Sequence, residues 1–213
     1  MNPLKEIQES GIVAVIRKTN VETIIPLARA LCEGGVRTLE ITVETPGALK
    51  VIEKLANELE DAVIGAGTVL DPETARAAIM AGAQFIFSPT VNTDTIKIAK
   101  RYNVVNVAGA MTPTEILTAF EHGSDIIKVF PANVLGPEYL KAVHGPLPQI
   151  PLMPTGGIDV DNTASYIKAG AVAVGVGSTL VDASKPVDEA YCQALTAKAK
   201  QFVSCVQTAR AGS

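Results

Sequence analysis

Residues 104–130 read VVNVAGAMTPTEILTAFEHGSDIIKVF. The stretch opens on one apolar run, VVNVA at 104–108, and closes on another, DIIKVF at 125–130. Both runs are short, rich in β-branched residues and bounded by glycine or polar residues, which is the pattern of strands covered on both faces. Between them, TPTE at 112–115 supplies a capping threonine, a proline suited to the first helical turn and an early acid. His122 and Gly123 then close the helix, the histidine acting as a C-terminal cap. The unit is strand, helix, parallel strand.

The same unit continues in both directions. Further apolar runs lie at 11–16 (GIVAVI), 37–42 (RTLEIT), 62–67 (AVIGAG), 84–88 (QFIFS), 151–155 (PLMPT) and 171–177 (AVAVGVG). Helix-period segments separate them. In 47–59, Leu49, Ile52, Leu55, Ala56 and Leu59 are expected to share one face. Segment 71–82 opens with Asp71 as N-cap and Pro72 behind it, and closes near Gly82. In the last segment Val187, Tyr191, Ala194, Leu195, Phe202 and Val206 supply the apolar side. Strict alternation of eight strands with helices means a parallel sheet. Eight units in 213 residues average roughly 25 residues each, which suits a closed barrel better than an open sheet. The expected fold is α/β, a single (β/α)₈ TIM barrel domain over residues 1–213, with a short N-terminal helix at residues 1–9 covering the barrel floor.

Composition narrows the class. Hydrophobic residues make up 47% and charged residues 19%, so the chain folds around a core, and with no tryptophan and 4% aromatics that core is aliphatic. A formal net charge of −4 argues against a nucleic-acid binder. Cys32, Cys192 and Cys205 fall on helical segments and form no CxxC pair, which fits reduced thiols packed in a cytoplasmic protein. No apolar run approaches the ~18 residues a membrane span needs, and residues 1–10, MNPLKEIQES, carry no signal core. His144 precedes Gly145-Pro146 in an expected loop, and neither histidine has a partner at metal-ligand spacing, so no metal is expected.

In such a barrel the chemistry sits at the C-terminal ends of the strands. Those ends hold Arg17, Glu40, Thr68, Ser88-Pro89, Gly109, Lys128, Thr155-Gly156-Gly157 and Gly175-Val176-Gly177-Ser178. Lys128 lies inside an apolar run. Burial disfavours its charged form, and a neutral amine is the nucleophile that carbonyl substrates need. The alternative is a strand-end lysine that reaches solvent or pairs with a carboxylate. Glu40, also inside an apolar run, is open between a proton shuttle and a structural ion pair with Lys128. The two glycine turns after strands seven and eight suit a phosphate, with Ser178 as an added donor, though glycine also serves simple turns. Thr68 and Thr155 are open between substrate contacts and backbone bonding, and Arg17 between anion binding and a surface salt bridge.

These motifs, taken in order, resemble the 2-keto-3-deoxy-6-phosphogluconate (KDPG) aldolases and the related 4-hydroxy-2-oxoglutarate aldolases. The resemblance spans about residues 4–205 and rests on GGVRTLEIT around Glu40, GAGTV around Thr68, AGAQFIFSP ending at Pro89, MTPTE at 111–115, IKVFPA around Lys128, PTGGI at 154–158 and GVGS at 175–178. It implies that Lys128 forms a Schiff base and that Glu40 is the general acid/base. It further implies that Thr68, Pro89, Phe130 and Thr155 shape a pyruvate pocket, and that Gly156, Gly157, Gly177 and Ser178 hold the phosphate. A homotrimer without metal or organic cofactor is implied too. Some members carry an arginine where this chain has Val43-Glu44-Thr45; others carry one at the end of strand one, as Arg17 does here. Strand ends SPTVN and VAGAM also depart from the common SPG or SPH and PG. The expected reaction is cleavage of KDPG to pyruvate and D-glyceraldehyde 3-phosphate. The rivals are the galactonate epimer, 4-hydroxy-2-oxoglutarate, and, from another class, a non-catalytic barrel that binds a phosphate ligand.

Overall fold

A computed structural model describes residues 2–212. The chain runs α1 (Pro3–Ser10), β1 (Ile12–Ile16), α2 (Ile24–Glu33), β2 (Thr38–Thr42), α3 (Ala48–Glu58), β3 (Val63–Gly67), α4 (Pro72–Met80), β4 (Phe85–Phe87), α5 (Thr93–Arg101), β5 (Val105–Ala110), α6 (Pro113–Glu121) and β6 (Ile126–Val129). It continues with α7 (Ala132–Leu135), α8 (Pro137–His144), β7 (Leu152–Pro154), α9 (Val160–Lys168), β8 (Val174–Val176) and α10 (Glu189–Ala211). The strands are parallel and ordered β7-β6-β5-β4-β3-β2-β1-β8. The seam between β7 and β8 is closed by one bridge, Thr155 to Gly175, and by the Val172 N–H donating to Leu152 O at 3.0 Å. This is the (β/α)₈ barrel expected from the alternation.

The pleat sorts side chains into two cores. Ile12, Ala14 and Ile16 of β1, and Ile127 and Val129 of β6, face outward and join the large cluster under the helices. Val13, Val63, Phe85, Phe87, Val107, Ile126, Met153 and Ala173 face inward and form a second cluster inside the barrel. Ile7 of α1, fully buried, belongs to that inner cluster, with Leu4 packed against it. The leading helix therefore does cover the floor. Filling a barrel this small needs small residues opposite large ones: a Cβ on Gly65 would collide with the Phe85 ring. Each valine, leucine or isoleucine side chain buried in these clusters contributes roughly 1.5–3 kcal/mol.

Helix starts follow the sequence signals. Asp71 accepts the Thr74 N–H at 2.6 Å with Pro72 behind it. Thr112 and Glu115 form a capping box, as do Asp159 and Asn162. Each such cap is worth about 1 kcal/mol. His122 caps the end of α6, its Nδ1 lying 2.7 Å from Thr118 O. At the far end of the chain, Arg210 of α10 donates to Gln8 O, Glu9 O and Val172 O at 2.6–2.8 Å, tying the last helix to the floor.

Three details differ from the sequence expectation. The buried face of α3 is Ala48, Val51, Ile52 and Leu55, whereas Leu49 is 41% exposed and Ala56 is exposed. The expected face was set one position out, and 100° per residue turns Leu49 away from the sheet. Ala194 is exposed while Leu195, Thr196, Ala199, Phe202 and Val206 of α10 are buried. His144 ends α8 instead of lying in a loop, with Nε2 3.1 Å from Ile150 O. Among the described residues, no helix is long and apolar enough to cross a membrane.

Candidate active site

The inward faces of β2 and β6 carry the two chemical groups. Lys128 lies two residues beyond Ile126 and so shares its inward face, between Gly109 of β5 and Met153 of β7. It is 5% exposed. Its Nζ stands 4.4 Å from the centre of the Phe87 ring and 4.6 Å from that of Phe130. Ring faces attract a cation but solvate it far less well than water does. Burial accordingly drives the Lys128 amine down to about 8, while the Glu40 carboxylate opposes the shift.

Glu40 is 1% exposed, between Val15 of β1 and Gly65 of β3. Its Oε2 is buried without a hydrogen-bond partner. Burial pushes its carboxyl up to about 7, against the pull of the Lys128 and Arg17 charges. Gly67 makes room for this side chain, since a Cβ there would overlap Oε1. None of the ion pairs among the described residues joins Glu40 to Lys128. The structural ion pair, one of the two readings left open by the sequence, is absent from this arrangement. What remains is a charge-coupled acid and amine on facing strands.

One cavity of about 190 Å³ gathers Arg17, Lys128, Phe130, Thr155, Gly156, Gly157, Gly177 and Ser178. Glu40, in the middle of β2, and Thr68 and Pro89, just beyond the ends of β3 and β4, lie outside that lining. Thr68 holds a left-handed backbone at φ 58°, a strained state for a β-branched residue that costs on the order of 1–3 kcal/mol. The Pro89 backbone covers Gly109, where any Cβ would strike it. The Thr155 hydroxyl points towards Gly175 and is buried without a partner. Arg17 pairs with Glu44 in a half-exposed ion pair and also lines the cavity.

The glycine turns form one wall. Gly156 and Gly157 are both left-handed, at φ 97° and 71°, and a Cβ on Gly157 would meet Asn133. Asn162 Nδ2 donates to Gly157 O at 2.8 Å and sets that peptide. Gly177 O accepts from Leu180 and Val181 N–H at 2.9 Å, so a helical turn begins where β8 ends. Thr179 Oγ1 donates to Ile158 O and links the two turns. Val15, Ile158 and Thr179 also line the cavity and escaped the sequence reading. Val15 was within reach, being two residues before Arg17 on one strand face, and Thr179 directly follows the GVGS turn. Among the described residues, no group of three or more His, Cys, Asp or Glu side chains could hold a metal ion.

A buried amine and a buried carboxylate on facing strands of a barrel are the two groups that a Schiff-base aldolase, a lyase, requires. Comparison with known proteins agrees. The chain belongs to the KDPG and KHG aldolase family, whose model matches residues 4–196. A 2-dehydro-3-deoxy-phosphogluconate aldolase of Pseudomonas aeruginosa is 41% identical over 161 residues, 75% of this chain and 73% of the relative. A 2-dehydro-3-deoxy-6-phosphogalactonate aldolase of Escherichia coli is 33% identical over 198 residues, 92% of this chain and 96% of the relative. The KDPG aldolase of Legionella pneumophila, solved with pyruvate captured as a covalent carbinolamine, superposes with TM-score 0.87 at 31% identity, covering 95% of this chain and 98% of that one.

Proposed function

We propose that this chain, one barrel domain over residues 1–213, cleaves KDPG to pyruvate and D-glyceraldehyde 3-phosphate. The observation that carries the reading is the Lys128 amine, buried, free of an ion pair among the described residues, and lining one cavity with two consecutive left-handed glycines. The neutral amine attacks the C2 ketone and gives a carbinolamine. Loss of water forms an iminium ion. Glu40 takes the proton of the C4 hydroxyl as the C3–C4 bond breaks, and the bonding pair moves into the iminium to give an enamine and the aldehyde. Glu40 returns a proton to C3, and water releases pyruvate and the amine. The iminium is the electron sink, so the sequence of steps calls for no metal or organic cofactor. In this reading Thr68, Pro89, Phe130 and Thr155 enclose the pyruvate half. Gly156, Gly157, Gly177, Ser178 and Arg17 receive the phosphate at the distal end.

Measuring kcat/KM for KDPG, its galactonate epimer and 4-hydroxy-2-oxoglutarate tests this. KDPG should give the highest value. Ser178→Ala should raise KM about 10-fold for the two phosphorylated substrates and leave the third unchanged. Equal effects on all three would remove the phosphate assignment, and a higher value for the galactonate would move the reading to that epimer.

The family resemblance further supports a homotrimer. Leu70, Met80, Met111 and Val134 leave large apolar side chains exposed, at 54%, 59%, 38% and 66%. Sedimentation velocity should return three times the mass of one chain; a monomer would overturn this assembly. The three cysteines are free thiols, which fits work in the reducing cytoplasm.

A further inference from the structure

The ends of β1 and β2 are clasped together beside the cavity. Lys18, left-handed at φ 52°, donates its N–H to Thr45 Oγ1 at 3.2 Å. The Thr45 N–H donates to Thr42 O at 3.1 Å, and the hydroxyls of these two buried threonines lie 3.2 Å apart. The Val43 N–H donates to Gly67 O at 2.8 Å. This clasp fixes residues 42–45 against 17–18 and sets Glu44 opposite Arg17. The Glu44 Oε1 accepts from Arg17 Nη1, and both side chains are half exposed.

Arg17 lines the cavity together with Gly177 and Ser178, and also lines an adjoining space of about 280 Å³ with Lys18, Ser178 and Asp182. A guanidinium offers five N–H donors in a planar fork, and the one bond to Glu44 leaves the rest of the fork for an arriving anion. An exposed pair of this kind is worth roughly 0–1 kcal/mol, so a phosphate can take the guanidinium from it. The carboxylate nevertheless stays beside the phosphate and repels it.

We propose that Glu44 is a specificity-determining residue that works through Arg17. It competes for the guanidinium that reads the anionic distal end of the substrate, and so holds down the preference for phosphorylated over unphosphorylated 2-keto-3-deoxy acids. This rests on the reading of Arg17 as a phosphate contact. The charges of Arg17 and Glu44 also act in opposite directions on Lys128, as expected of two groups that compensate each other beside the site.

The test measures kcat and KM for KDPG and for unphosphorylated 2-keto-3-deoxygluconate in the wild type, E44Q, R17M and the double variant. The assay is run at about pH 9, above the range in which Glu40 and Lys128 titrate. E44Q should lower KM for KDPG about 3–10-fold with kcat unchanged, leave the unphosphorylated substrate unmoved, and have no effect in the R17M background. No fall in KM, equal shifts for both substrates, or a shift that survives R17M would overturn the role of Glu44 and leave that of Arg17 standing. If R17M itself leaves the ratio of the two KM values untouched, the reading of Arg17 fails and the proposal with it.

Discussion

Lys128→Met should lose turnover by at least about 10⁴-fold, because no other group in the cavity can form the iminium. Borohydride added with pyruvate should leave a stable secondary amine on the peptide that carries Lys128 in the wild type and none in the variant. An adduct elsewhere on the chain, or turnover within 100-fold of wild type, would end the role given to this lysine. The same substitution should make the protein more stable at neutral pH. The folded state holds the amine near 8 against its ordinary 10.5. Below about 8 the folded state therefore carries the whole cost of a buried charge, and the cost fades only as pH rises towards 10.5. Methionine fills a similar space without that charge, and Glu40 then escapes an unpartnered charge by taking up a proton. A gain of about 1–3 kcal/mol at pH 7 is expected, read as a higher midpoint in thermal or denaturant unfolding.

Glu40→Gln should cost about 10²–10⁴-fold in kcat and change the shape of the pH profile. On the proposed mechanism Lys128 acts as the neutral amine and Glu40 as the carboxylate, so kcat/KM of the wild type should rise with pH through the range near 7 to 8 in which both lose protons. Below pH 7 the limb should steepen towards two protons. Glutamine takes no part in this titration, so the variant should show a one-proton limb. Removing the carboxylate also removes the charge that holds the lysine up, and the trapping of pyruvate should therefore reach its maximum at lower pH than in the wild type. An unchanged two-proton limb, or loss of trapping at every pH, would contradict this division of labour.

The sequence made the barrel legible because eight apolar runs alternate with capped helices, and it made the amine and the acid legible because each interrupts such a run. It could not tell inward from outward in a run such as IVAVI, where every residue is apolar. Lys128 and Glu40 marked the inner face of their own strands only. The glycines carried half a message: Gly156 and Gly157 were readable as a turn, but Gly67 makes room for Glu40 on the neighbouring strand, and that depends on register. The pairing of Arg17 with Glu44 joins residues 27 apart through a loop whose shape is set by threonine hydroxyls, and no local pattern announces it. Leu49 failed for a simpler cause, since in a short helix a stripe displaced by one position has nearly the same period.

The plug that α1 places in the floor turns the barrel into a blind well. Ile7 and the inner cluster fill the barrel below the lysine, so a substrate reaches it from the C-terminal rim of the strands. On the proposed mechanism, pyruvate is tethered at the bottom while the aldehyde lies towards the rim. The aldehyde must then depart before pyruvate can. Order of release is thus a matter of plumbing: what was bound deepest leaves last, and in the synthetic direction pyruvate has to be loaded before its partner arrives.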